Sequence, residues 1–309
     1  MGSLIMNRIT ALLVVCLLFT ACGGGDKDTT NDKLSVVTTT GMIADVVKNI
    51  GKDSVQVQAL MGPGVDPHLY KATQGDLGRL QSADIIFYNG LHLEGKMGEV
   101  FEKLERIKNV VPVAGRIEVS RLLSDPVYKD AHDPHVWFDV SLWSSTIEVV
   151  VDILSKEDPE NAAFYQRNGK EFSNELALLD NWVRTQVGTI PEDKRILITA
   201  HDAFNYFGRA YDIEVRGLQG ISTLSEFGLK DRVDLVNFIV EKKIKAVFVE
   251  TSVSQKNIDA IIEGCQQKGH DVTIGGYLYS DAMGAEGTPE GTYTGMVRAN
   301  VNTIVQSLR

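Results

Sequence analysis

From Leu34 onward the chain alternates short runs rich in β-branched residues with amphipathic stretches of helical periodicity. The pattern predicts eight strands, at 34–38, 55–60, 83–88, 109–113, 195–199, 213–218, 246–249 and 271–275. It predicts helices near 42–50, 74–82, 95–104, 140–154, 203–211, 231–243, 256–268 and 293–307. Because strands that alternate with helices form parallel sheets, we predict an α/β fold. Two lobes would each contain a four-stranded, mainly parallel sheet flanked by helices.

A much longer helical pattern separates the two sets of strands. Apolar residues recur there at spacings of three, four and seven: Tyr165, Phe172, Leu176, Leu179, Val183 and Val187. Asp158 suits an N-cap and Pro159 the first helical position. About 30 helical residues would span roughly 45 Å, so this helix is predicted to join the lobes as a rigid strut. The predicted boundaries are 34–156 for the first lobe, 157–189 for the linking helix and 190–309 for the second lobe.

The first residues have the pattern of an export signal. Arg8 precedes an apolar run that is too short to span a bilayer, and Thr20-Ala21-Cys22 follows it. We predict a signal peptide over 1–21 and a lipidated, flexible tether over 22–33, with Cys22 as the acylated residue. Phe19 stands where a leucine is usual, so an ordinary secretory signal is the alternative. Either reading predicts an extracytoplasmic protein, in a periplasm or on a cell surface.

Net charge and cysteine content argue against a nucleic-acid-binding protein and against a fold held by disulfides. The formal net charge is −10, and no basic block occurs along the chain, which argues against a nucleic-acid partner. After removal of the signal and acylation of Cys22, only Cys265 would remain, so no internal disulfide is expected. Its place in an amphipathic helical pattern predicts a small core residue.

Two histidines occur in the same unusual context. His68 follows Asp66-Pro67 and His135 follows Asp133-Pro134, although the chain has only six histidines. Proline fixes its own φ and restricts the residue before it, so each imidazole would leave a rigid segment. The shared context favours one common ligand site over two ordinary loop residues.

Two further candidates lie where strands of the second lobe end. His201 follows the strand at 195–199, and Asp281 lies beyond the strand that ends at Gly275. Ligands bind at the carboxyl ends of strands in such sheets. Three imidazoles and one carboxylate suit zinc above other divalent ions. The alternative is that His201 caps a helix and Asp281 a turn.

Carboxylates near the candidate ligands could orient their rings. Asp66, Asp133 and Asp202 each neighbour a candidate histidine, and one or more would accept the second ring N–H. Glu250, at the end of a strand, is a further carboxylate that could support the site. We predict no ligand role for the other histidines: His132 would be a solvated loop residue, and His92 and His270 would lie in polar turns.

Four segments carry a family resemblance: 62–70 (Gly-Pro-Gly-Val-Asp-Pro-His-Leu-Tyr), 133–139 (Asp-Pro-His-Val-Trp-Phe-Asp), 199–204 (Thr-Ala-His-Asp-Ala-Phe) and 280–284 (Ser-Asp-Ala-Met-Gly). With them the chain resembles the metal-binding solute receptors of ABC importers, the cluster A-I or class III family, and especially its TroA-type zinc- and manganese-binding lipoproteins. The resemblance covers essentially all of the chain after the signal.

The resemblance implies a function and a ligand set. His68, His135, His201 and Asp281 would hold Zn²⁺ and/or Mn²⁺ between the lobes as transported cargo. The protein would be a monomeric, membrane-anchored receptor that delivers the ion to an ABC permease, and not an enzyme. A rigid linking helix would permit only small motions on binding.

The metal and the function class each have alternatives. Manganese-dedicated relatives carry glutamate at the position of His201, whereas zinc-dedicated relatives usually carry a long histidine-rich loop. Here the segment 115–135 is short, which leaves both ions open. A zinc hydrolase would keep an open coordination position, but four ligands are proposed and no His-Glu-x-x-His motif occurs. A surface adhesin of the lipoprotein type is the other alternative.

Overall fold

A four-stranded parallel sheet forms the centre of the first half of the chain. A computed structural model describes residues 33–126, 128–224 and 228–309. The strands of this sheet are Leu34–Thr38 (β1), Val55–Ala59 (β2), Ile85–Tyr88 (β3) and Asn109–Pro112 (β4), in the order β2-β1-β3-β4. The register pairs Leu34 with Val55 and Val36 with Ile85. The predicted α/β class is therefore confirmed in this half.

The four strands of the second half form two hydrogen-bonded parallel pairs. They are Ile196–His201 (β5), Glu214–Gln219 (β6), Ala246–Glu250 (β7) and Thr273–Leu278 (β8). Ladders join β5 to β6 and β7 to β8, and β5 contacts β7 without a ladder. At the end of β5 the side chain of Glu250, rather than a backbone carbonyl, accepts the N–H of His201. The predicted parallel arrangement is present, but its four strands are not one continuous ladder.

Ten α-helices flank these strands in the described residues. They are Gly41–Gly51 (α1), Gln74–Ser82 (α2), Gly98–Leu104 (α3), Val140–Trp143 (α4), Thr146–Glu157 (α5), Ala162–Val187 (α6), Asn205–Tyr211 (α7), Leu229–Glu241 (α8), Lys256–Gln267 (α9) and Tyr293–Leu308 (α10). The single helix predicted at 140–154 is divided between α4 and α5. Ser145 and Thr146 donate side-chain hydrogen bonds to the carbonyls of Leu142 and Trp143 at this break.

The long helix α6 begins slightly later than predicted. A 3₁₀ turn, Pro159–Asn161, precedes its 26 α-helical residues. Asp158 does not cap a backbone N–H of α6; its Oδ2 accepts hydrogen bonds from Asn161 and from the hydroxyl of Tyr165. The helix therefore spans about 39 Å at 1.5 Å per residue.

The largest hydrophobic cluster of the described residues extends across both halves of the chain. It includes Ile43 of α1, Leu176 of α6, Phe207 of α7 and Val301 of α10. Residues Leu34–Arg309 form one compact unit. The lobe boundaries at 156/157 and 189/190 remain predictions. Cys265 is buried and free, as its pattern predicted.

The two faces of α6 allow a matched test of this core. Leu176 is 0% exposed, whereas Leu178 is 71% exposed on the same helix. We expect Leu176→Ala to lower the free energy of unfolding by about 2–5 kcal/mol, because it removes buried methyl groups and leaves a cavity. Leu178→Ala should change it by no more than about 0.5 kcal/mol. Urea unfolding measures both, and similar losses in the two variants would contradict this packing of α6.

The predicted signal peptide and tether, including Cys22, lie outside the described residues, apart from Lys33 at the end of the tether. Within the described residues, no helix has the length and apolar content required to cross a bilayer.

Candidate metal centre

Three histidines and one aspartate converge at one buried point. His68, His135, His201 and Asp281 each offer one ligand atom, and these atoms all lie within 4.8 Å of one another. Each of the four residues is at most 2% exposed. The structure thus brings together all four residues that the sequence had nominated, although gaps of 66 to 80 residues separate them along the chain.

The spacing of the ligand atoms suits a tetrahedral ion. The Nε2 atoms of His68 and His135 lie 3.3 Å apart. Oδ2 of Asp281 lies 3.3 Å from Nε2 of His201, and its other oxygen, Oδ1, lies 3.4 Å from Nε2 of His135. A tetrahedron has edges of about 1.6 times its metal–ligand distance, so zinc bonds of about 2.0–2.1 Å require edges of about 3.3–3.4 Å. The contact between His68 and Asp281, at 3.8 Å, is wider.

Asp133 holds His135 from the opposite side of the ring. Its Oδ1 accepts the backbone N–H of His135 at 2.9 Å and lies 2.7 Å from Nδ1 of the ring. Its Oδ2 accepts a hydrogen bond from Asn205 of the second half. With the ring proton on Nδ1, the lone pair of Nε2 faces the other ligands. The predicted role of Asp133 is therefore consistent with its geometry.

Glu250, rather than the neighbouring Asp202, orients His201. Glu250 Oε1 accepts the backbone N–H of His201 at 2.8 Å, and its Oε2 contacts ring Nδ1. Asp202 turns away and accepts the N–H of Gly217 at 2.7 Å. A Cβ at Gly217 would lie 2.5 Å from the backbone nitrogen of Asp202, so only glycine permits this approach at the end of β5.

Asp66 fixes the segment that carries His68, but not its ring. Oδ1 of Asp66 accepts the backbone N–H of His68 at 2.9 Å. Its Oδ2 accepts a hydrogen bond of 2.7 Å from the hydroxyl of Thr223, in the second half of the chain. The aspartate next to each of the three histidines therefore has a different role: Asp133 contacts a ring, Asp66 ties two loops together, and Asp202 holds a strand end.

Trp137 connects the histidine segment to the aspartate segment. Its indole Nε1 donates to the carbonyl of Ser280 at 3.0 Å, and its own carbonyl accepts from the hydroxyl of Tyr293 at 2.7 Å. Trp137 is buried, so it anchors His135 and Asp281 in the same core. This contact was not anticipated from the sequence, because nothing in the pattern pairs two segments 143 residues apart.

Asp281 does not act as a turn cap. Both of its oxygens are buried and lack a hydrogen-bond partner among the described residues. Burying a carboxylate is costly unless it is paired, and its partners here are the imidazole nitrogens of His135 and His201 described above. His201 is likewise not a helix cap, because α7 has Phe204 at its N-cap. The alternative readings of these two residues are not supported.

Burial and mutual attraction shift the ionisation of the cluster. Burial lowers the pKa of His68 to about 3. Burial also disfavours the charged form of His135, but attraction to Asp133 and then to Asp281 outweighs it and raises the pKa of that imidazole to about 9. Glu250 and Asp281 likewise raise the pKa of His201 well above its ordinary value despite burial. His201 and His135 in turn hold the pKa of Asp281 well below its usual range, against the opposing effect of burial.

The remaining histidines differ in their surroundings. His92 is exposed in a turn, as predicted, whereas Nε2 of His270 contacts the carbonyl of Ile244. His132 is only partly exposed, and its Nδ1 is buried without a hydrogen-bond partner among the described residues. Its reading as a solvated loop residue is therefore wrong.

A buried network that the sequence analysis missed supports the first half of the site. Asn89 donates a side-chain hydrogen bond of 3.0 Å to the carbonyl of Pro134, directly before His135. Glu94 accepts hydrogen bonds from the backbone of Asn89 and the hydroxyl of Thr39, both at 2.7 Å. The position of Asn89 directly after β3 was the available signal, since polar residues at strand ends face the ligand edge of such sheets.

The contact between Glu250 and His201 leads to a specific expectation. We expect Glu250→Gln to lower zinc affinity by about 10–100-fold, because the amide neither attracts the ring N–H as strongly nor raises the basicity of the imidazole. Competition with a chromogenic chelator measures this change. Glu286→Gln is the control, since Glu286 is exposed and pairs with Lys48 at the surface. An unchanged affinity in Glu250→Gln would contradict the orienting role of Glu250.

Known proteins share this fold and this length of chain. The solved structure of the periplasmic zinc-binding protein TroA from Treponema pallidum matches with a TM-score of 0.87 and 51% identity, covering 89% of this chain and 99% of that one. A manganese-bound periplasmic metal-binding protein from Candidatus Liberibacter asiaticus matches with a TM-score of 0.78 and 25% identity, covering 90% and 100% of the two chains.

Sequence comparison gives relatives over nearly the whole chain. The manganese-binding lipoprotein MntA of Bacillus subtilis is 49% identical over 302 residues, which cover 97% of this chain and 98% of that protein. The manganese ABC transporter substrate-binding lipoprotein PsaA of Streptococcus pneumoniae is 30% identical over 314 residues, covering 98% and 99%. The name of MntA thus describes a metal-binding lipoprotein, and that of PsaA the substrate-binding component of an ABC transporter.

The family model described as "ZnuA: Zinc-uptake complex component A periplasmic" matches residues 36–307. This match includes all four converging residues and the long helix α6. The chain therefore belongs to the ZnuA family of periplasmic zinc-uptake components.

Proposed function

We propose that this protein is an extracytoplasmic receptor that binds a divalent transition-metal ion and delivers it to the permease of an ABC importer. The observation that carries the proposal is the convergence of His68, His135, His201 and Asp281 at one buried point. An ion at this point would satisfy the carboxylate and take up the Nε2 lone pair of each imidazole. The ion is cargo, so the site must also release it.

The donor set favours zinc but admits manganese. Three imidazole nitrogens and one carboxylate suit zinc, and the Irving–Williams order places zinc above manganese at nitrogen-rich sites. Relatives of nearly equal similarity carry names for either ion, since MntA is named for manganese and TroA of Treponema pallidum, at 48% identity, for zinc. We propose that the protein binds both ions, with zinc bound more tightly.

The proposal extends to the membrane and the partner. Names of relatives that contain "lipoprotein" and "ABC transporter" support an anchored protein that works with an ABC permease. We propose acylation at Cys22, residence in a periplasm or at a cell surface, and a monomeric receptor. Intact-mass measurement of the mature protein tests the anchor, because a free N-terminal amine without lipid mass would exclude acylation.

The direct test of the proposed function is metal stoichiometry. Protein purified without added metal would be analysed by native mass spectrometry, then titrated with zinc and with manganese. We expect one ion per chain, an increase in melting temperature on binding, and no turnover of peptide or ester substrates. Dissociation constants in the millimolar range or weaker for both ions would contradict the proposal.

His201 allows the metal preference to be changed. We expect His201→Glu to shift the ratio of zinc to manganese affinity toward manganese by about tenfold or more, because a carboxylate oxygen replaces an imidazole nitrogen. Competition titrations of the wild type and the variant with both ions measure this ratio. If the ratio stayed at its wild-type value, His201 would not be a ligand, and the second-half part of the site would be misassigned.

A further inference from the structure

A cavity beside His68 contains two histidines that the site does not use. The cavity has a volume of about 350 Å³, and His68, His92 and His132 all line it. Loops from both halves of the chain line it, and they include Tyr128 from the first half and Ser222 from the second. Since the chain has only six histidines, three of them at one small cavity is a concentration that packing alone does not require.

The cavity connects the buried ligands to the surface. His68 is one of the four converging residues and is 2% exposed, yet it also forms part of this cavity wall. His92 and Tyr128, on the same wall, are exposed. At about 30 Å³ per water molecule, the volume accommodates an ion with its hydration shell. Of the four converging residues, His68 lines this cavity, so an ion that entered here would meet His68 first.

His132 is placed and prepared to contact such an ion. It lies three residues before His135, and its backbone pairs with Ser124 in an antiparallel bridge. Its Nδ1 is buried without a hydrogen-bond partner among the described residues. His132 also lines the cavity, so a divalent ion that loses water there would gain a nitrogen ligand from this side chain.

We propose that this cavity is the route by which the ion enters and leaves, with His92 and His132 as transient ligands between water and His68. The inference rests on the proposed metal-binding function. Each imidazole would replace a water molecule of the hydrated ion for part of its path, so that dehydration proceeds in steps. His92 and His132 would hold the ion only in transit and would not contribute to the final complex.

If His92 and His132 are transient ligands, their removal has a kinetic effect that differs from the removal of a final ligand or of a residue that only supports the fold. By microscopic reversibility, removing a transient ligand slows entry and exit by the same factor and leaves the dissociation constant unchanged. Removing a final ligand, or damaging the fold, would instead raise the dissociation constant. The ratio of the two rate constants therefore separates these roles.

The experiment uses the full-length protein and zinc alone. Trp137, whose ring centroid lies 5.2 Å from that of His135, serves as the fluorescent reporter in stopped flow. Association would be followed by mixing with zinc, and dissociation by mixing the zinc-loaded protein with excess EDTA. The variants are His92→Gln, His132→Gln and the double variant, with His270→Gln as the matched control. His270 contacts the carbonyl of Ile244 and does not line this cavity.

We expect the double variant to show association and dissociation rate constants both lowered by about three- to tenfold, at the lower end of what focusing clefts achieve, with an unchanged dissociation constant. His270→Gln should match the wild type. Ser222→Trp, which places a bulky ring in the lining of the cavity, should also slow both steps. Wild-type rates in the double variant, or a raised dissociation constant, would overturn the proposal. Absence of zinc binding in the wild type would instead contradict the proposed function itself.

Discussion

Replacing Asp281 by asparagine is expected to lower zinc affinity by about 100-fold or more. Four-ligand zinc sites in small domains have apparent binding free energies of about 10–16 kcal/mol, which is about 3 kcal/mol per ligand if the four contribute equally. Because about 1.4 kcal/mol corresponds to a factor of ten in affinity, the loss of one ligand corresponds to about 100-fold. Asparagine keeps the shape of the side chain but removes its charge. It also leaves a positive ion among neutral ligands in a buried position. Isothermal titration with a competing chelator measures the loss.

The control for this substitution is an aspartate with no part in the site. Asp212 is 94% exposed and pairs with Arg195, so Asp212→Asn should bind zinc as the wild type does. Circular dichroism and thermal unfolding would establish that both variants are folded. A zinc affinity in Asp281→Asn within about threefold of the wild type, where a ligand loss of about 3 kcal/mol is expected, would show that Asp281 is not a ligand.

Zinc affinity is expected to rise steeply with pH up to about 9. Imidazoles must be neutral to bind a metal, and the pKa values of His135, raised to about 9, and of His201, raised well above its ordinary value, mean that both hold protons at neutral pH. Each zinc ion must then displace two protons. Affinity should therefore change by up to about 100-fold per pH unit below these pKa values.

The proton count provides a direct measurement. Titrations of zinc at pH 7 in buffers of different ionisation enthalpy give the number of protons released per ion. We expect a number near two, because the pKa of His68 is lowered to about 3 and this ring is already neutral. Release of no protons, with an affinity that changed only near the free-histidine value of about 6.5, would contradict the shifted pKa values.

The same ionisation affects the stability of metal-free protein in the opposite direction. A histidine whose pKa is raised in the folded state stabilises that state fully below its unfolded pKa of about 6.5 and loses this contribution as the pH rises through about 9. For His135 alone the contribution is of order 3 kcal/mol. Chelator-treated protein should therefore become less stable between pH 6.5 and 9, while zinc-loaded protein becomes more stable, as urea unfolding at both pH values would show.

Residues in a rare local context identified two of the four candidate ligands. The repeated Asp-Pro-His segment identified His68 and His135, since proline restricts the chain on both sides and histidine is scarce. Alternation of strands and helices placed His201 and Asp281 beyond strand ends, where parallel sheets collect their ligands. The family resemblance then joined these pairs into one set. Such inferences succeed because they depend on short-range sequence and on general sheet geometry.

The groups that orient the ligands were harder to predict, because they depend on which strands are neighbours. Glu250 reaches His201 because β7 lies beside β5, and no sequence pattern reports that adjacency. Asp202 was a plausible orienting group by its position in the chain, yet the turn after β5 directs it toward Gly217. The prediction of one helix at 140–154 was wrong for a related reason. The hydroxyl groups of Ser145 and Thr146 compete locally for backbone carbonyls where α4 ends and α5 begins.

The hydrophobic cluster that passes from α1 through α6 to α10 has a consequence for how the gene can be divided. A polypeptide that ended at the predicted boundary after residue 156 would expose to water the apolar faces that α6 and α10 cover. Neither fragment would have a complete interior, so independently expressed halves should aggregate rather than reassemble. Fusion partners and affinity tags therefore belong at the C-terminus or in exposed surface turns, and not between the two sets of strands.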